Sequence, residues 1–131
     1  MKRVTGIGGI FFKAENPEAL YQWYEKHLGI ERAADGSGVI FKWDSNGSAE
    51  PEGMTIWSIF PRDTKYFEPG KSPLMINYRV DDLDALLVDL AAAGVWIDPK
   101  RQNESYGRFA WIKDCDGNRV ELWQPLETPE T

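Results

Sequence analysis

The part of this sequence best placed to do chemistry is one carboxylate set among aromatic side chains. After the turn Asp116-Gly117-Asn118 the chain reads Arg119-Val120-Glu121-Leu122-Trp123-Gln124-Pro125. Strand alternation puts Val120, Leu122 and Gln124 on one face and Glu121 and Trp123 on the other. A carboxylate that shares its face with a tryptophan points toward a walled space, where its charge needs a proton, a cation or a hydrogen-bond partner. Glu121 is therefore the candidate catalytic residue, a general base with Tyr24, Tyr78 or Tyr106 as proton donors. The competing reading is a structural carboxylate paired with Arg79 or Arg108. Trp57, Trp111 and Trp123 fall on strands and form either a wall that stacks a planar ligand or plain core. Tyr106 and Arg108 are candidates for a ligand's polar end, or else belong to an exposed loop. His27, the only histidine, lies near the end of a helix, where a cation complements the dipole. Cys115 has neither a CxxC partner nor a neighbouring histidine.

Composition narrows the setting for that site. The chain of 131 residues is most simply one domain, long enough to bury a core without disulfides or structural metal. Its single cysteine permits no internal disulfide and points to a reducing, cytoplasmic compartment. A formal charge of −6 works against binding a phosphate backbone, so nucleic acid is not an expected partner. No run of about eighteen apolar residues occurs, so no membrane span is expected. Six Trp, six Phe and five Tyr supply ring surface for a core and for a ligand pocket.

The elements that would position these residues repeat. A strand is read over 6–14, with Gly6, Gly8 and Gly9 leaving room for close approach to its backbone. Asn16 caps a helix, Pro17 opens it, Ala19, Leu20, Trp23, Tyr24 and His27 recur at helical spacing, and Gly29 stops it. Short strands follow over 30–34 and 39–43, then a turn from Trp43 to Gly47 inside a polar loop over 44–53, then a strand over 54–60. A connector rich in proline leads to a strand over 74–80, a helix over 83–93 capped by Asp82, a short strand over 95–97, a polar loop, and a hairpin over 107–113 and 119–124. Each half is β-α-β-β-β. This gives an α+β fold of two tandem βαβββ modules forming a curved mixed-sheet cup with helices outside: module one about 5–61, connector 62–73, module two about 74–126. A shift of 66 residues lays Ile10, Phe12, Asn16 and Leu20 on Ile76, Tyr78, Asp82 and Leu86, and a shift of 64 lays Ile56 and Pro61 on Val120 and Pro125. Matched order of cap, helix and closing strand favours duplication.

Asn16-Pro17-Glu18-Ala19-Leu20 with Trp23-Tyr24 and Leu28-Gly29, then Val80-Asp81-Asp82-Leu83-Asp84, then Asp116 to Trp123, together resemble the vicinal oxygen chelate superfamily, the group of glyoxalases, bleomycin resistance proteins and extradiol dioxygenases. The resemblance implies paired βαβββ modules, a homodimer, and a divalent metal held from the first and last strands of each module. Here those positions fall on Gly9, Trp57, Met75 and Glu121, of which only Glu121 is a plausible ligand. One histidine cannot build a two-histidine iron site. The expectation is a small-molecule-binding protein of the glyoxalase and bleomycin-resistance type without a metal cofactor. It would hold an apolar or aromatic ligand against Trp57, Met75, Tyr78, Tyr106, Arg108, Trp111 and Trp123. The alternatives are a lyase or isomerase using Glu121, and a structural or partner-binding module with a filled cleft.

Overall fold

Two helices, each capped by a short polar side chain, sit at matching points of the repeat. The computed structural model describes residues 3–43 and 53–126. The order is β1 (Val4–Ala14), α1 (Pro17–Leu28), β2 (Val39–Lys42), β3 (Met54–Pro61), β4 (Leu74–Val80), α2 (Leu83–Ala92), β5 (Gln102–Glu104), β6 (Gly107–Lys113) and β7 (Arg119–Pro125). Asn16 Oδ1 accepts from the Ala19 amide and Asp82 Oδ1 from the Ala85 amide, each at 3.1 Å, so both helices start where a side chain satisfies an orphan N–H. Gly29, with φ of 71°, ends α1 in the left-handed region that a side chain disfavours.

The strands form one mixed seven-stranded sheet in the order β2-β3-β1-β4-β7-β6-β5. At its centre β1 and β4, the first strands of the two halves, pair antiparallel, while β1–β3 and β4–β7 are parallel. Both helices lie on one face. Beneath α2 are Val80, Leu83, Leu86, Ala110 and Leu122, and beneath α1 are Ala14, Tyr21 and Ile59. The opposite, concave face carries its own buried cluster of Phe11, Phe67, Met75 and Trp111. Strand alternation thus sorts each strand's apolar residues between two cores rather than between core and water.

Three short elements differ from the sequence reading. No strand forms over 30–34: the Ala33 amide donates to the Gly38 carbonyl (2.7 Å) and Gly36 to that of Ala33 (2.8 Å), so the backbone bonds there close a turn. Over 95–97 only the bridge of Ile97 to Ile112 forms. Conversely Gln102-Asn103-Glu104, read as loop because it is polar, is β5, an edge strand with β6 as its one partner. Most of the polar loop over 44–53, with the turn after Trp43, lies outside the described residues.

Candidate functional site

β7 sits between β4 and β6, so Glu121 has a direct cross-strand neighbour on each side: Asn77 on β4 and Trp111 on β6. Both turn a donor toward it. Trp111 Nε1 donates to Glu121 Oε1 at 2.8 Å, and Asn77 Nδ2 donates to Oε2. A third donor comes from the connector between the halves, where the Tyr66 hydroxyl bonds Oε1. The carboxylate is 2% exposed, and three donors replace the water it has lost. Neither Arg79 nor Arg108 is its partner: Arg79 lies over the Trp43 ring and Arg108 pairs with Asp84 beside α2. The partners of Glu121 are thus neutral donors rather than the arginine expected for a structural carboxylate.

Burial, and the negative charge it faces, hold the Tyr66 hydroxyl well above its ordinary value of 10.0, so it stays a donor. The ring of Tyr66 stacks on Phe60, with centroids 5.5 Å apart and planes within 4°, and meets Trp111 edge-on. Next to it Phe67, 1% exposed, packs into the concave cluster. Arg119, one residue pair along from Glu121 on the same face, lies over the Trp111 ring and pairs with Asp98 at 3.0 Å. The Lys100 amide and Arg119 together hold the Asp98 carboxyl below its usual range.

Glycines in β1 accommodate the protein's own rings. A Cβ at Gly8 would lie 2.3 Å from Asn77 Oδ1 and 2.8 Å from the Trp123 ring, and one at Gly6 would lie 2.2 Å from Trp43. Asn77 cannot turn its amide over, because a carboxylate accepts only. Its oxygen therefore rests against Gly8 without a hydrogen-bond donor among the described residues.

Of the residues singled out for a ligand, the structure places Met75, Trp111 and Trp123 on the concave face with Glu121. Met75 is 1% exposed, in the cluster with Phe11 and Phe67, and Trp123 stacks on Phe109. Three others face away. Trp57 packs against Tyr21 and Tyr24 under α1, Tyr78 packs beneath α2, and Arg108 reaches Asp84. Tyr106 is exposed at the turn before β6. Tyr24 lies in α1, and His27 stacks loosely on Trp23 in the exposed last turn.

The fate of Trp57 follows from register. Phe11 pairs with Ser58 as Asn77 pairs with Glu121. The 66-residue step between first strands is met by 63, not 64, between closing strands. One residue of slip moves a side chain to the opposite face, so Ser58, not Trp57, matches Glu121. Sequence reading missed Ser58, and it missed Tyr66 by treating the connector as a spacer. Two adjacent rings in a stretch otherwise of Lys, Glu, Pro and Gly were the available signal.

The superfamily's metal does not fit this donor set. Gly9 has no side chain, Ser58 is half of a weak contact with the Ser37 carbonyl, Met75 is core, and Glu121 is enclosed by three donors. Among the described residues no group of three or more His, Cys, Asp or Glu side chains is placed to hold a metal ion. Open surface depressions occur elsewhere, one of about 390 Å³ beside Leu20 and Trp23 at the start of α1, away from Glu121.

A chain with a βαββ half and a βαβββ half joined through their first strands, helices on one face and a concave site on the other, has the glyoxalase-like fold. It belongs to the Glyoxalase/Bleomycin resistance protein/Dioxygenase superfamily, whose model matches residues 6–122. Comparison with curated proteins gives no match. Among solved structures it is similar to a methylmalonyl-CoA epimerase variant of Streptomyces coelicolor in complex with 2-nitronate-propionyl-CoA, at TM-score 0.65 and 19% identity over 95% of this chain and 99% of that one. It is also similar to methylmalonyl-CoA epimerase from Mycobacterium tuberculosis, at TM-score 0.60 and 22% identity over 97% and 92%. A third similar structure is described as an NAD-dependent benzaldehyde dehydrogenase from Legionella pneumophila, at TM-score 0.58 and 13% identity over 90% and 98%. At these identities the likeness is one of fold. No helix among the described residues is long and apolar enough to cross a membrane.

Proposed function

We propose that this chain is a metal-independent small-molecule-binding protein of the glyoxalase and bleomycin-resistance type, which holds an aromatic or apolar ligand on its concave face. The observation that carries the reading is the state of Glu121. The one carboxylate at a family metal position is bonded by Tyr66, Asn77 and Trp111, on the face that carries the cluster of Phe11, Phe67, Met75 and Trp111. Such a place offers ring surface and a single oriented acceptor, which suits recognition of an apolar body with a small polar end. It suits proton abstraction less, because a general base needs a lone pair turned toward a substrate, and three donors of the protein already take most of the acceptor capacity of Glu121. Its natural setting in this reading is a cytoplasmic homodimer that sequesters its ligand.

The test pairs elemental analysis of untagged protein with thermal-shift screening of aromatic compounds and divalent metals. Aromatic compounds are expected to raise Tm, and Trp123→Ala to abolish the rise. A stoichiometric divalent metal that is lost on Glu121→Ala would overturn the proposal. Light scattering of the purified protein gives the oligomeric state.

A further inference from the structure

The connector between β3 and β4 crosses the concave face and turns two rings into it. Most of residues 62–73 are exposed, whereas Phe67 is buried, Gly70 is buried against Arg119, and Tyr66 is partly buried. The segment is folded mainly on itself: the Thr64 amide donates to the Pro61 carbonyl (3.0 Å), Glu68 to Lys65 (3.1 Å) and Gly70 to Phe67 (2.9 Å). Phe67 packs among Phe11, Met75 and Trp111 and anchors the strap in the core. Tyr66 occupies a different environment, a slot with a flat wall (Phe60), an edge (Trp111) and an acceptor at its end (Glu121).

We infer that the slot filled by Tyr66 is the ligand site itself, and that its ligand is a phenol whose ring and hydroxyl replace those of the tyrosine. This rests on the binding function proposed above and names the chemical class and the internal competitor. Three features carry it. The slot already satisfies a phenol in each respect, a stacked face, an edge contact and a charged acceptor for the hydroxyl. Departure of Tyr66 leaves Glu121 bonded to its two strand neighbours, so opening does not strand a bare buried carboxylate. Tyr66 sits on irregular backbone, while Phe67 remains to hold the strap, so one ring can swing out without unfolding a strand. An unsubstituted aromatic would lose the Glu121 bond and leave its acceptor short of one donor.

A tethered ring competes at high effective concentration, so a free phenol binds the wild-type protein only through the fraction of molecules in which Tyr66 is out. The experiment measures binding of p-cresol, the free form of the tyrosine side chain, and of toluene by calorimetry and tryptophan fluorescence. Wild-type protein is expected to bind p-cresol weakly, and Tyr66→Ala to bind it about ten- to a hundredfold more tightly, as follows when the open form is a minor state. Toluene is expected to bind Tyr66→Ala at least about tenfold more weakly than p-cresol does. Where Tyr66→Ala does not fold, Tyr66→Phe serves, since it keeps the ring but loses the hydroxyl bond, and it too should bind p-cresol more tightly than wild type. Failure of wild-type protein to bind p-cresol at any accessible concentration, equal binding of p-cresol and toluene, or no gain in either Tyr66 variant would each overturn the inference. An aromatic ligand from the screen whose affinity is indifferent to Tyr66 would leave the binding function standing and remove the phenol slot. No ligand from either experiment removes both.

Discussion

Replacing Glu121 by glutamine separates a structural carboxylate from a working one. The side chain keeps its size, but its charge is gone and one of its two oxygens becomes an amide donor. Trp111 Nε1 and Asn77 Nδ2 have no other role than donation, and only the Tyr66 hydroxyl can rotate to accept. The amide oxygen can keep one of the two rigid donors, and the amide nitrogen then faces the other. One charge-assisted bond is lost outright and another is weakened to neutral strength, at about 1.5–3 kcal/mol for the first and about 1 kcal/mol for the second. The expected total is about 3 kcal/mol, which for a domain of this length lowers Tm by about 10 °C. Urea unfolding followed by tryptophan fluorescence measures it, and Trp111→Phe supplies the second edge of a double-mutant cycle. The cycle is expected to return a coupling of about 1–2 kcal/mol between the two positions, because they exchange a bond at 2.8 Å. A catalytic base held in apolar surroundings without donors of the protein behaves oppositely: its neutralisation raises stability. A Glu121→Gln protein as stable as wild type, or more so, would refute the assignment of Glu121 to the fold.

The remaining predictions concern its surroundings. Because Tyr66 is held above its ordinary value of 10.0, its contribution is intact below that pH and falls as pH rises past it. There the unfolded chain gives up the proton before the folded one, at up to about 1.4 kcal/mol per pH unit. Urea midpoints of wild type and Tyr66→Phe should therefore converge as pH rises past about 10, and parallel curves there would contradict the buried hydroxyl. Asp98→Asn leaves the guanidinium of Arg119, whose side chain is 6% exposed, without its carboxylate, and should cost about 2–3 kcal/mol by denaturant unfolding. The same bond is present at neutral pH and is lost in acid as pH falls below the range where Asp98, its carboxyl held below 3.8, takes up a proton. Gly8→Ala drives a methyl to 2.3 Å from Asn77 Oδ1 and 2.8 Å from Trp123; it should cost about 2 kcal/mol and alter the near-ultraviolet circular dichroism of the tryptophans.

The parts of the fold that follow from local chemistry were legible. Asn16 and Asp82 announce both helices because a cap needs one short polar side chain at one place, and the spacing of Leu83, Leu86, Leu87 and Leu90 gives the face that α2 buries. The short elements were not, because 102–104 becomes a strand through a partner on one side and 30–34 fails to become one for want of any, and neither fact is local. Of the site, Glu121 and Trp123 were placed on one face by alternation, whereas Met75 came with the family positions and Trp111 was left between ligand wall and core. Trp57 was not, because the closing strands are related by a shift of 63 residues rather than 64, and a period of two turns that single residue into the wrong face.

That slip also explains why Tyr66 matters. Corrected for register, the positions facing the cup are Gly9, Phe11 and Ser58 in the first half and Met75, Asn77 and Glu121 in the second. The concave face thus carries a carboxylate in the second half where the first half has Ser58, and the charge the first half does bring to that face, Lys13, lies over the Phe67 ring. The second half answers with what its own strands can reach, the amide of Asn77 and the indole of Trp111, both direct cross-strand neighbours. A third bond comes from a tyrosine of the segment that joins the halves, the part of the face that belongs to neither. Strand donors are fixed by the sheet, whereas a donor on a strap can be exchanged. The asymmetry of the duplicated cup therefore leaves one exchangeable partner at its carboxylate, and the chemistry of that partner, an aromatic ring with a hydroxyl, is the specification for whatever replaces it.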